Sequence, residues 1–230
     1  MGGDATTLDQ RAAAELLGWW LEAGVDVAVD EAPRDWLKDT AVVSSTPVAE
    51  ADNSQIPADF AAFRTWLEQC SDLPLAKGGT VRAAPRGEKL AEIMLLTDMA
   101  ALDSQSEPIG GEAWELARKM LAAIGFAPEQ AYLANLSCFS GPGVRLGGAD
   151  LERCAEIARQ HIALAAPKRL VLFGDAPAKA LLGGTVVQRR GKIHKVEGVR
   201  TIATFAPAWL LSRPADKALA WRDLLMLMEE

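Results

Sequence analysis

The sequence predicts a three-layer α/β/α sandwich built on a central four-stranded parallel sheet, and three observations predict it. Four short apolar runs of strand length recur along the chain: EIMLLTD (92–98), AYLANLS (131–137), RLVLFG (169–174) and GVRTIATF (198–205). Between them lie stretches whose apolar residues return every three or four positions, the period of a helix with one buried face. Strands that alternate with helices need crossover connections, which lay helices over both faces of a parallel sheet.

Taken in order, residues 8–24 read as an amphipathic helix with Leu16, Leu17, Trp19 and Trp20 clustered at helical spacing, ended by Gly24. The stretch 40–57 is rich in Ser, Thr, Pro and Ala with little periodicity, which is the composition of a linker. A second helix is expected from Ala58 to Cys70, with Phe63, Trp66 and Cys70 on one stripe. Trp114, Ala117, Leu121 and Ile124 mark a third, closed by Gly125. Leu151, Cys154, Ala158 and Ile162 mark a fourth. DAPAKALLG opens another directly after the third strand, and residues 214–228 form the closing helix. The chain therefore divides into an acidic helical segment (1–39), a linker (40–57) and one α/β domain (58–230).

Charge and cysteine content narrow the setting. The net charge of −7 is concentrated at the start: residues 1–40 hold nine acids and three bases, so the rest is close to neutral. Within that rest, QRRGKIHKVEGVR (188–200) carries five bases and one acid. Arg189, Arg190 and Lys192 on this loop are candidate DNA contacts, with a solvated hairpin as the competing reading. Three cysteines do not make a disulfide framework and point to a reducing, cytoplasmic setting. The first residues carry acids before any Arg and no long apolar core, so no secretory signal is expected. No apolar run approaches the roughly 18 residues of a membrane span. Gly174, at a strand end before a helix, has the setting of an anion site, but neither a GxGxxG nor a Walker pattern accompanies it.

In open parallel sheets ligands gather at the carboxyl ends of strands, which selects Thr97–Asp103, Asn135–Gly143, Gly174–Pro177 and Phe205–Leu211. These segments, in this order, resemble the family 4 branch of the uracil-DNA glycosylase superfamily over roughly residues 63–228. AYLANLS resembles its Y-I-T-N strand end. RLVLFGDAPAKALLG resembles its strand–Gly–Ala–helix segment, and RRGKIHKVEGVRTIATFAPAWLLSRPADKALAWRDL its C-terminal tail.

The resemblance implies a function on DNA: holding a flipped base and hydrolysing its N-glycosidic bond. It assigns base reading to Asn135, whose amide donates and accepts at once, as the edge of uracil requires; a strand-terminating Asn that satisfies loop backbone is the alternative. The family's Gly-Glu-Ala-Pro-Gly turn becomes Thr97, Asp98, Met99, Ala100 and Ala101, with Asp98 in the place of the Glu and Asp103 in that of a later Asp. Asp98 is thus the candidate for positioning water, and a loop-capping Asp is the alternative. Ile109 follows Pro108 where the family carries a stacking Phe. Ala206 stands where the family's His donates to the departing base, a loss of one donor worth about 10²–10³ in rate. Thr97, Met99, Ile109, Asn135 and Ala206 would line the base site. Trp209, Leu210 and Leu211 would wedge the duplex, with packing of Leu210 against the closing helix as the competing reading, and Arg213 would contact phosphate.

The family also binds a [4Fe–4S] cluster through four thiolates. Here the first pair reads Cys70-Ser71-Asp72-Leu73, Cys138 falls near the third position and Cys154 on the fourth. Cys70, Cys138 and Cys154 are therefore expected to mark a vestigial cluster site without a cofactor, a three-thiolate cluster being the alternative. The overall expectation is a divergent glycosylase-like protein that binds DNA and a flipped base with weak or absent uracil excision. The alternatives are an active glycosylase with a substituted site, and a protein-interaction module using the Trp-bearing N-terminal helix.

Overall fold

The computed structural model describes residues 56–100 and 107–229. The expected N-terminal helix, nearly all of the linker and Asp103 lie outside them. The main sheet contains β2 (Ile93–Thr97), β3 (Ala131–Asn135), β5 (Arg169–Phe173), β6 (His194–Val196) and β7 (Val199–Thr204), in the order β3-β2-β5-β7-β6. Four of these strands are the ones expected, and they pair in parallel. The fifth corrects the expected count: β6 runs antiparallel to β7 at the edge, with His194 opposite Thr201. Its turn is Glu197-Gly198, both at positive φ (49° and 80°), the geometry that closes a two-residue hairpin. Three residues carry too short an alternation to register as a strand in the sequence. A small second sheet, β1 (Val81–Arg82) against β4 (Phe139–Ser140), was likewise below that threshold.

Alternating residues of the parallel strands separate into two cores, because successive side chains of a strand point to opposite faces. Met94, Leu96, Tyr132, Ala134, Leu170, Leu172 and Ala203 face one side. There they meet α3 (Gly148–Ala165) and α4 (Asp175–Leu182), which carry Cys154, Ala158, Ile162, Ala178 and Leu181. Ile93, Leu95, Ala131, Leu133, Val171, Phe173 and Ile202 face the other side. Their partners are Leu121 of α2 (Gly111–Ala123) and Leu224 and Leu227 of α7 (Lys217–Met228). Both faces of the sheet are covered, so its strands read as unbroken apolar runs. This is the expected three-layer sandwich.

Two shorter helices complete the frame near the strand ends. Val186–Arg189 forms α5, and α6 (Pro207–Ser212) begins with Pro at its first position, where the missing N–H costs nothing. A third apolar cluster lies under α1 (Phe60–Gln69): Phe63, Trp66, Leu67, Cys70, Leu73, Leu75, Phe139 and Ile157. Asp59 caps α1 by accepting the Ala62 N–H at 3.0 Å. Among the described residues no helix is long and apolar enough to cross a membrane.

Candidate functional site

Strand register brings the key side chains together. Thr97 closes β2 and Asn135 closes β3, and the two residues are direct partners across the parallel pair. The Asn135 amide donates from Nδ2 to Thr97 Oγ1 at 2.5 Å and to the Pro108 carbonyl at 2.9 Å. A carbonyl only accepts, so the Pro108 contact fixes which end of the amide is nitrogen. Among the described residues the other end, Oδ1, is buried without a partner. Asn135 and Thr97 are both 7% exposed and Ile109 is 6% exposed, so the group forms a recessed polar point in an apolar wall. The loops beyond the two strands are tied by Leu136 N–H to the Thr97 carbonyl (2.8 Å) and Ser137 N–H to the Asp98 carbonyl (3.0 Å).

Asp98 follows directly. Its side chain reaches solvent, yet its carboxylate accepts the Met99 N–H at 2.8 Å, and the surrounding protein raises its pKa above the ordinary 3.8. Desolvation outweighs that hydrogen bond. Met99 is half-buried and leans on the third cluster, among Phe63 and Leu73. Ala206 caps the N-terminus of α6 and packs on the face of the sheet bearing Phe173. Gly174, at the end of β5, lies beside it: a Cβ there would come 3.7 Å from the Ala206 methyl. Asp175, which follows Gly174, turns its carboxylate to the start of α5, where it accepts the Val186 N–H at 2.8 Å.

The expected DNA contacts separate into exposed and committed residues. Arg190 is committed, which corrects its assignment as a surface contact. It forms a two-point ion pair with Asp223, which is 0% exposed, and also donates to the Leu219 carbonyl. Arg189 folds back to donate to the Gly183 carbonyl at 3.3 Å. Lys192 is exposed on the loop. Leu210 is 1% exposed and belongs to the core, so it is no wedge, whereas Leu211 and Trp209 are exposed. Arg213 lies over the Trp209 ring at 4.4 Å, and the indole N–H donates to Asp216 at 3.0 Å.

Sequence reasoning missed two buried polar groupings. Asp223 accepts from Thr204 Oγ1 (2.7 Å), Arg190 and the Gly191 N–H (3.1 Å), and burial still pushes its carboxyl up. Its signal lay in AWRDL, part of the C-terminal tail that carries the family resemblance, which does not name a partner for the Asp. Tyr132 Oη lies 2.8 Å from His161 Nε2, both fully enclosed. Burial lowers the His161 pKa to about 3 and raises that of Tyr132, so the phenol donates to a neutral ring. Tyr132 stands in the strand-end motif AYLANLS and His161 in no motif, and neither signals the other in the sequence.

The cysteines do not fit a four-thiolate cluster. Cys138 and Cys154 line one cavity of about 10 Å³ with Leu73, room for no more than a water. Leu73, at the position of the missing thiolate, is itself 6% exposed and fills the space between Leu67 and Ile157. Burial pushes the Cys138 and Cys154 thiols up to about 11 and about 12. Among the described residues no three His, Cys, Asp or Glu side chains are grouped to hold a metal ion.

Comparison with known proteins agrees with the architecture. A sequence model of the uracil DNA glycosylase superfamily matches residues 87–225, more than half of the chain. The chain is 27% identical over 161 residues to a type-4 uracil-DNA glycosylase of Archaeoglobus fulgidus, covering 64% of this chain and 81% of that protein. It is 24% identical over 181 residues to a type-4 uracil-DNA glycosylase of Pyrobaculum aerophilum, covering 73% and 92%. The matched stretch contains the parallel sheet, its covering helices as far as residue 225 and every strand-end residue described above, and this chain belongs to the uracil-DNA glycosylase superfamily as a family 4-like member.

Proposed function

We propose that this chain binds DNA and holds an extruded base at the carboxyl edge of the sheet, with uracil excision weak or absent. The observation that carries this reading is the Asn135 carbonyl oxygen, buried at a strand end without a partner among the described residues, in a wall made by Thr97, Pro108 and Ile109. An orphaned buried acceptor costs about 1–3 kcal/mol unless a ligand donor completes it. Ile109 offers the base an apolar face, and the exposed Lys192, Leu211 and Arg213 offer phosphate and wedge contacts. Residues 58–230 carry this function; the acidic segment 1–39, joined by the linker 40–57, is the surface for a protein partner, in a cytoplasmic setting.

Departure of the base leaves negative charge on its ring oxygens, and a rigid donor aimed at that charge is the largest single aid to the step. At residue 206 this chain presents a methyl group. Asp98 supports the alternative of residual hydrolysis, because its raised pKa moves a carboxylate toward the range of a useful base.

The test is excision of uracil from a labelled single-stranded oligonucleotide by the native chain, Asn135→Ala and Ala206→His. No product from the native chain and product from Ala206→His, with a gain of about 10²–10³, supports the proposal. Native excision abolished by Asn135→Ala supports the Asp98 alternative instead.

A further inference from the structure

The Asn135 amide carries two N–H bonds, and both are spent inside the protein. One goes to the Pro108 carbonyl at 2.9 Å, the other to the Thr97 hydroxyl at 2.5 Å. The Thr97 hydroxyl stands where the turn resembling the family's begins with a glycine, which has no side chain to offer the amide an acceptor. Register makes the contact unavoidable: Thr97 and Asn135 are opposite each other at the ends of adjacent parallel strands. What Asn135 has left is Oδ1, an acceptor, buried and unpaired among the described residues.

From this we infer that Thr97 is a specificity-determining residue: by taking the Asn135 N–H it removes the pocket's ability to tell uracil from cytosine. The inference rests on the proposal that a base is held at Asn135. Uracil presents a ring N–H beside a carbonyl oxygen on its pairing edge, and cytosine presents a ring nitrogen acceptor beside an amino group. A full amide matches uracil at both points and opposes cytosine. A lone acceptor finds a donor on either base, the ring N–H of uracil or the amino group of cytosine, and loses the second point of discrimination. Thr97 acts through Asn135 and is a positioning residue, not one that touches the reacting atoms.

The experiment measures equilibrium affinity of the full chain for single-stranded oligonucleotides that differ at one position: uracil, cytosine or a tetrahydrofuran abasic analogue. For the native chain, uracil and cytosine oligonucleotides are expected to bind within about threefold of each other and more tightly than the abasic one. Thr97→Ala and Thr97→Gly, which free one N–H, are expected to raise the preference for uracil about tenfold, the size of one restored contact in a bidentate pair. Thr97→Ser, which keeps the hydroxyl, is expected to restore the native ratio. A tenfold preference for uracil in the native chain overturns the inference without any variant. So does an unchanged ratio in a Thr97→Ala chain that still prefers a base to the abasic analogue, and both outcomes leave the base-holding reading standing. Equal affinity of the native chain for all three oligonucleotides overturns that reading and the inference with it.

Discussion

Arg190 and Asp223 meet in a two-point ion pair, Nε to Oδ2 at 3.1 Å and Nη2 to Oδ1 at 2.9 Å, that fastens the basic loop to the closing helix α7. The pair is buried, with the Asp223 side chain 1% and the Arg190 side chain 18% exposed. The guanidinium also lies 5.5 Å from the Phe205 ring, next to Ala206. A residue that looks like a DNA contact in the sequence is thus part of the frame that sets the start of α6.

Arg190→Ala is expected to cost about 3–5 kcal/mol in urea unfolding, because it leaves the Asp223 carboxylate buried without its counter-ion, with only the Thr204 hydroxyl and the Gly191 N–H as donors. Lys192→Ala is expected to leave the unfolding midpoint unchanged. It lowers DNA affinity and reduces the slope of log affinity against log salt by about 1. An Arg190→Ala chain as stable as the native one would refute the structural role.

The Tyr132–His161 pair makes stability depend on acid. The His161 pKa is lowered from 6.5 to about 3 in the fold, so below pH 6.5 the unfolded chain takes up a proton that the folded chain refuses. Stability is expected to fall by about 1.4 kcal/mol per pH unit from 6.5 toward 3, from this residue alone. His161→Gln, which has no proton to take up, is expected to flatten that slope in unfolding titrations between pH 4 and 7, although its overall stability is lower.

Asp98 acts with the opposite sign. Its folded pKa is raised, so its charged form destabilises the fold at neutral pH, and the penalty is relieved as pH falls through the raised value. Asp98→Asn is expected to raise Tm at pH 7 and to lose that advantage by pH 4. A constant difference across this range would mean that the Asp98 carboxyl titrates alike in the folded and unfolded chain.

Leu73 holds the space beside Cys138 and Cys154. Leu73→Ala is expected to cost about 2–5 kcal/mol, the range for emptying a buried leucine site. Anaerobically purified protein is expected to contain well under one iron or labile sulfide per chain and no absorbance near 400 nm. Stoichiometric iron and sulfide would mean that α1 and its following loop rearrange to bind a cluster.

The four parallel strands and their covering helices were legible because each strand is buried on both faces and each helix on one, so burial wrote its period into the residue order. The strand-end positions of Asn135 and Ala206 were legible for a related reason: parallel topology sends strand ends to one edge, and the motifs flank those ends. What only the tertiary structure decided were contacts between residues far apart in the chain. Thr97 meeting Asn135, Arg190 turning inward to Asp223, Leu73 closing on Cys138 and Cys154, and Tyr132 finding His161 all depend on strand register and helix placement. The short strands β1, β4 and β6 have the same origin, since two or three residues pair only when a partner strand already stands beside them. Local periodicity records which face of an element is dry, while the pairing of one polar atom with another is set by the packed whole.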